Sequence, residues 1–126
     1  VLAGARGADG RWLVEENRYR QFPSLPQTPV GTNTTLVVLF TNAKLSKIEV
    51  HRLAQRAHDG FAIAIRPVHT THDGDTAYAL ATSQVEASFD RVANIGVQMV
   101  AEAIRNGVRQ ARSVGLLPGL ASEKDQ

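Results

Sequence analysis

The most reactive grouping in the chain is Gly31-Thr32-Asn33-Thr34-Thr35, where a stretch punctuated by glycine and proline gives way to an apolar run. A threonine hydroxyl is a weak nucleophile until something activates it, and the peptide bond in front of Thr34 offers a way. Attack of the Thr34 hydroxyl on the Asn33 carbonyl would turn the peptide into an ester, and water opening that ester would free an α-amine on Thr34. Such an amine, with a reference pKa of about 7.7–8.0, can act as base for the hydroxyl beside it, so nucleophile and base share one residue. The same residues are also ordinary turn and strand chemistry, Asn and Gly supplying the turn and Thr the strand entry. Spacing alone leaves both readings open.

A second polar stretch runs His69-Thr70-Thr71-His72-Asp73-Gly74-Asp75-Thr76. Asp73 and Asp75 flank a glycine and can orient the hydroxyl and amine of Thr34, or hold a metal together with the two histidines. A plain polar turn is the third reading. Four ligand types crowded into one short loop lack any recognised zinc spacing, so neither a metal nor another cofactor is expected. His58-Asp59-Gly60 reads as a helix-packing or helix-end feature rather than an acid–base pair. With no cysteine in its 126 residues, the chain has no thiolate nucleophile and no disulfide, which leaves hydroxyls and carboxylates for covalent chemistry.

These groups need elements to hold them. Residues 34–41, TTLVVLFT, form a run too continuous for a half-solvated strand and predict one covered on both faces. Ser46-Lys47-Ile48-Glu49 has the capping-box form and predicts a helix start. Apolar residues follow at helical steps through Phe61, so the helix is expected to pass Gly60 and stop before Pro67, with a break at residues 58–60 as the alternative. Residues 76–82 predict a second strand after the Asp-Gly turn. Val85, Phe89, Val92, Gly96, Met99, Val100, Ala103, Gly107, Val108 and Ala111 predict the packing face of a long helix, its two glycines allowing close backbone approach. Residues 1–31, with prolines at 23, 26 and 29, predict an extended linker.

Strand, helix, strand, helix is not a closed unit. Two strands make too narrow a sheet for two amphipathic helices, so further strands are expected from a partner chain or from upstream in the same polypeptide. The net charge of only +2 makes the arginines at 105, 109 and 112 a solvated helix face rather than a nucleic-acid surface. No run of about 20 apolar residues and no basic-then-apolar leader is present, which predicts a soluble protein without a membrane partner, the cytoplasm favoured. A start at Val1, within a glycine-bearing stretch, is expected of a fragment or processed chain.

Taken in order, Thr32-Asn33-Thr34-Thr35-Leu36-Val37-Val38, Thr41-Asn42-Ala43-Lys44-Leu45, Arg52-Leu53-Ala54-Gln55, Ala57-His58-Asp59-Gly60, Arg66-Pro67-Val68-His69-Thr70 and Asp73-Gly74-Asp75-Thr76 closely resemble the P1-family peptidases. That family includes L-aminopeptidase/D-esterases, β-aminopeptidases and nylon-oligomer (6-aminohexanoate oligomer) hydrolases, and the last group is the nearest in pattern. The resemblance covers about residues 32–114. It implies an α/β fold, an αββα sandwich of N-terminal-nucleophile type, in which a precursor cuts itself into α and β chains. Residues 1–33 would then end the α part and residues 34–126 would be the β part. Residue by residue, Thr34 matches the nucleophile, Asn33 the residue before the cut, and Asp73 and Asp75 the acidic pair; the family's lysine, asparagine and oxyanion donors fall in the α part. The implied activity is hydrolysis of amide bonds in short peptides, β-peptides or linear amide oligomers, through an acyl-enzyme on Thr34. The implied partners are the α region of the same precursor and further αβ units in a homo-oligomer. Two other readings are an acyltransferase, as in the ornithine acetyltransferases, and a non-catalytic assembly module.

Overall fold

A computed structural model of the chain describes residues 2–4, 33–116 and 118–123. It divides into two compact units, Thr32–Ile104 and a second made of Val1–Gly31 with Arg105–Gln126. The linker expected for the first 31 residues lies outside the described residues, apart from residues 2–4.

Strand β1 (Leu36–Ala43) leads into helix α1 (Lys47–Ala64), strand β2 (Thr76–Val85) and helix α2 (Phe89–Gln110), all within the first unit except the last residues of α2, from Arg105 on. β1 and β2 pair in parallel, with Leu36 opposite Thr76 and Thr41 opposite Ala81. Parallel neighbours cannot be joined by a tight turn, and α1 is the crossover that joins these two. It begins at the expected capping box. The Ser46 hydroxyl accepts from the Glu49 N–H at 3.3 Å, while the Glu49 carboxylate accepts from the Ser46 N–H at 2.8 Å. The Ser46 backbone N–H foremost, and then the Ser46 hydroxyl donating to Glu49 Oε2 at 2.8 Å, hold the Glu49 carboxyl below its ordinary pKa.

Both helices pack on the sheet face that carries Val37, Leu39 and Ala77. Leu53, Ala57 and Phe61 of α1 and Ala93, Val97, Val100 and Ala101 of α2 make the core. Helix α1 continues through Gly60, and the reason is the contact made there. A β-carbon at residue 60 would stand 2.7 Å from both the Val97 carbonyl oxygen and the Val100 side chain, so the two helices approach backbone to side chain. Gly96 serves similarly, with a Leu39 methyl 2.9 Å from where its β-carbon would be.

Three expectations are corrected. β1 is not covered on both faces by the described residues: Leu36, Val38 and Phe40 are 67%, 51% and 71% exposed, because both helices occupy the opposite face. β2 extends to Val85, which the strand pairing takes from the helix; Val85 and Phe89 fit a helical step equally well, but Val85 sits opposite Ala43. The buried stripe of α2 is Ala93, Gly96, Val97, Val100 and Ala101, one step round from the expected face. Met99 of the expected face is 56% exposed, and Gly107 has no heavy atom near its missing β-carbon. Small residues decided this, since Ala93 and Ala101 admit the close approach that Met99 would block. Among the described residues the sheet has two strands, and no helix is long and apolar enough to cross a membrane.

Candidate active site

Thr34 sits just before β1, exposed, at the point where the chain meets the loop that leads into β2. The strand pairing is extended backwards on both sides of it. Asn33 bridges Asp73 in the parallel sense, the Gly74 N–H donates to the Asn33 carbonyl at 2.8 Å, and the Thr76 N–H donates to the Thr35 carbonyl at 3.0 Å. The Thr35 N–H is taken by a side chain instead, donating to Asp75 Oδ1 at 2.9 Å. Gly74 lies under the hydroxyl itself, since a β-carbon there would be 2.8 Å from Thr34 Oγ1. The sequence therefore brings Asn33, Thr34, Asp73 and Asp75 together, with Gly74 as a contact that composition alone does not mark.

The two carboxylates are used differently. Asp73 shapes its own loop: its Oδ2 accepts from the Thr70 N–H at 2.7 Å, and its N–H donates to the Thr70 carbonyl at 3.1 Å. The Thr70 backbone N–H and then the Thr70 side chain hold the Asp73 carboxyl below its ordinary pKa, with the neighbouring His69 and His72 adding to the effect. Asp75 reaches across to the strand. Its side chain is 6% exposed, and its second oxygen, Oδ2, lies 3.0 Å from His69 Nδ1. Neither carboxylate is hydrogen-bonded to the Thr34 hydroxyl among the described residues.

Sequence reasoning missed what stands behind Asp75. His69 Nε2 lies 3.1 Å from His58 Nδ1 on α1, and both rings pack edge-on against the buried Phe61, at 5.7 and 5.1 Å between centroids. His58 packs mid-helix, as its surroundings in sequence suggest, but the same ring also joins a polar chain. Nothing in a spacing of 11 residues announces that contact. A positive φ of 52° at His69, uncommon for a residue with a side chain, turns its ring toward Asp75. His72, the other histidine of the loop, is exposed, and no group of three or more His or acidic residues is arranged to hold a metal among the described residues.

A cavity of about 300 Å³ opens beside the junction, lined by Asn33, Thr35, Ile65, Pro67, Thr70, Asp73 and Asp75. A larger apolar groove of about 410 Å³ runs along β1 and α2, past Phe40, Val92, Ile95 and Met99, and shares no residue with the junction. Of these two spaces, the smaller is the one lined by Asn33, whose carbonyl accepts the Gly74 N–H, and by the Asp73 and Asp75 carboxylates.

Residues 5–120 match the family model described as Peptidase family S58. An uncharacterized aminopeptidase of Mycobacterium leprae is 48% identical over 53% of this chain and 18% of its own length. One of Mycobacterium bovis is 39% identical over 86% of this chain and 38% of its own length. A 6-aminohexanoate-oligomer endohydrolase of a Kocuria strain is 34% identical over 49% of this chain and 18% of its own length. The chain thus spans well under half the length of the relatives it matches.

Proposed function

The chain belongs to peptidase family S58, and from that membership we propose that it carries the nucleophile of a self-processing amide hydrolase, with Thr34 released as an N-terminal residue by cleavage of the Asn33–Thr34 bond. The observation that carries this reading is the pairing of Gly74 with both reacting groups. Its N–H donates to the Asn33 carbonyl oxygen, where negative charge would gather during attack, and its Cα leaves room for the Thr34 hydroxyl directly above. In the first step the Thr34 oxygen adds to the Asn33 carbonyl carbon, the C–N bond breaks, and the hydroxyl proton ends on the Thr34 nitrogen. Water then opens the ester, giving an Asn33 carboxylate and a Thr34 with free hydroxyl and amine. In the mature enzyme the same hydroxyl takes the acyl group of a substrate amide, with the α-amine as base.

The substrates proposed are short peptides, β-peptides or linear amide oligomers, the last supported by the likeness to a 6-aminohexanoate-oligomer endohydrolase. An αββα sandwich assembled with the preceding part of the precursor belongs to the same proposal. Its support is the apolar sheet face bearing Val38, Phe40, Tyr78 and Leu80, which the described residues leave open to solvent. Homo-oligomers of αβ units are expected on the same ground.

Mass spectrometry of the full-length protein tests the reading. The wild type is expected to yield a fragment beginning at Thr34, and Thr34→Ala to remain whole and inactive on peptide amides and 6-aminohexanoate oligomers. A wild-type precursor that stays whole and inactive would overturn it.

A further inference from the structure

We propose that His69 and His58 are positioning residues for the Thr34 nucleophile, acting through the Asp75 carboxylate; the inference rests on the self-processing reading above. Each link is a contact in the structure. The Thr35 N–H belongs to the peptide unit that directly follows Thr34, and it is fixed by Asp75 Oδ1 at 2.9 Å. Asp75 Oδ2 is fixed by His69 Nδ1 at 3.0 Å, and His69 Nε2 meets His58 Nδ1 at 3.1 Å. His58 is carried by α1, its ring against the fully buried Phe61. The nucleophile's backbone is thereby tied through four side chains to the helix core.

The chemistry of the groups assigns their roles. A carboxylate with a side chain only 6% exposed is costly unless each oxygen has a donor, and Asp75 has one on each side. Facing a carboxylate, His69 Nδ1 must carry a proton. In the neutral ring, Nε2 is then an acceptor, and His58 Nδ1–H supplies the donor; in the charged ring Nε2 donates and His58 accepts. Either way the His58–His69 contact holds the His69 ring plane, so Nδ1 stays aimed at Asp75. Without His69, Asp75 Oδ2 would need another donor, and the carboxylate would swing from the Thr35 N–H toward water in the adjoining cavity. The peptide after Thr34 would then lose its anchor, and Oγ1 its place above Gly74.

A left-handed backbone at His69 fits this role. Among side-chain-bearing residues Asn, Asp and His are enriched in that conformation, and of these His can donate to Asp75 and reach His58 at once. Asparagine places its amide nitrogen where His places Nδ1 and keeps the left-handed preference, so it is the conservative replacement.

The experiment follows self-cleavage of the full-length precursor in a time course of cell-free synthesis, with melting temperatures of the purified products as control. His69→Ala is expected to slow cleavage at Asn33–Thr34 about 10²-fold, the scale of a displaced reacting group. His69→Asn is expected to recover cleavage to within about tenfold of wild type, because a donor to Asp75 is restored. His58→Phe, which keeps a ring against Phe61 and removes the nitrogen, is expected to slow cleavage about threefold to tenfold at an unchanged melting temperature. If His69→Ala fails to fold, the Asn and Phe variants decide. His69→Asn as slow as the alanine form, or folded His58→Phe and His69 variants that cut at the wild-type rate, would overturn the positioning role while leaving the self-processing reading intact. A wild type that does not cut at Thr34 would overturn that reading instead.

Discussion

The β1–β2 pair has two ends built in contrasting ways. At the end that carries Thr34 the register is unbroken from Asn33 opposite Asp73 through Thr41 opposite Ala81, and a buried carboxylate replaces one ladder acceptor. At the other end Ala43 faces Val85, so Thr82, Ser83 and Gln84 all stand opposite Asn42 alone, with Ser83 in a left-handed turn at φ 57°. That end is closed by the Lys44 N–H to the Val85 carbonyl at 2.7 Å and by an exposed Lys44–Glu86 ion pair. The same two strands thus combine an end in unbroken register with a bulged one. The proposed nucleophile needs its backbone held from both sides, while a strand exit into a connecting segment does not.

Substitutions at the two ends should differ in kind, and the largest contrast is expected at Gly74. Its backbone is outside the left-handed region, so alanine is conformationally tolerated there, but the new β-carbon would meet Thr34 Oγ1 at 2.8 Å. The Thr34 side chain must rotate away. Gly74→Ala should therefore slow self-cleavage about 10²-fold while the melting temperature changes little. A Gly74→Ala precursor that cuts at the wild-type rate would show that the end in unbroken register does not set the nucleophile.

A smaller effect, dependent on pH, is expected at Asp73. Asp73 is held below its ordinary pKa by Thr70, so its stabilising contribution is present above the unfolded value of about 3.9 and is lost as pH falls through the folded one. Asp73→Asn should melt below wild type at pH 7, and the gap should close below about pH 4. A gap of constant size from neutral to acid pH would mean that charge at Asp73 is not what holds the loop. The smallest effect is expected at the bulged end. Lys44→Ala removes an ion pair whose side chains are 64% and 81% exposed, and should cost no more than about 0.5 kcal/mol in denaturant unfolding, with cleavage unaffected. A slower cut in Lys44→Ala would blur the contrast between the ends.

Much of this is legible in the sequence alone. The capping box at Ser46 and Glu49 and the order strand, helix, strand, helix rest on near neighbours in the chain, whereas Asn33–Thr34 with Asp73 and Asp75 is marked by the resemblance to a family pattern. Propensity, capping and turn chemistry act over a few residues, so a sequence states them directly. The face of α2 was misread because an apolar arc wider than its contact leaves the choice to the neighbour. Ala93 and Ala101 won over Met99 only once Gly60 of α1 had set the spacing of the helices.

By itself, then, the sequence determined the order of the elements and the family pattern in which Asn33, Thr34, Asp73 and Asp75 stand. The tertiary structure alone decided that Asp73 serves its own loop while Asp75 reaches the strand, that Gly74 lies beneath Thr34, and that His58 on α1 backs His69. Those outcomes depend on register and on side chains meeting across elements, with directional contacts near 3 Å that no local preference encodes.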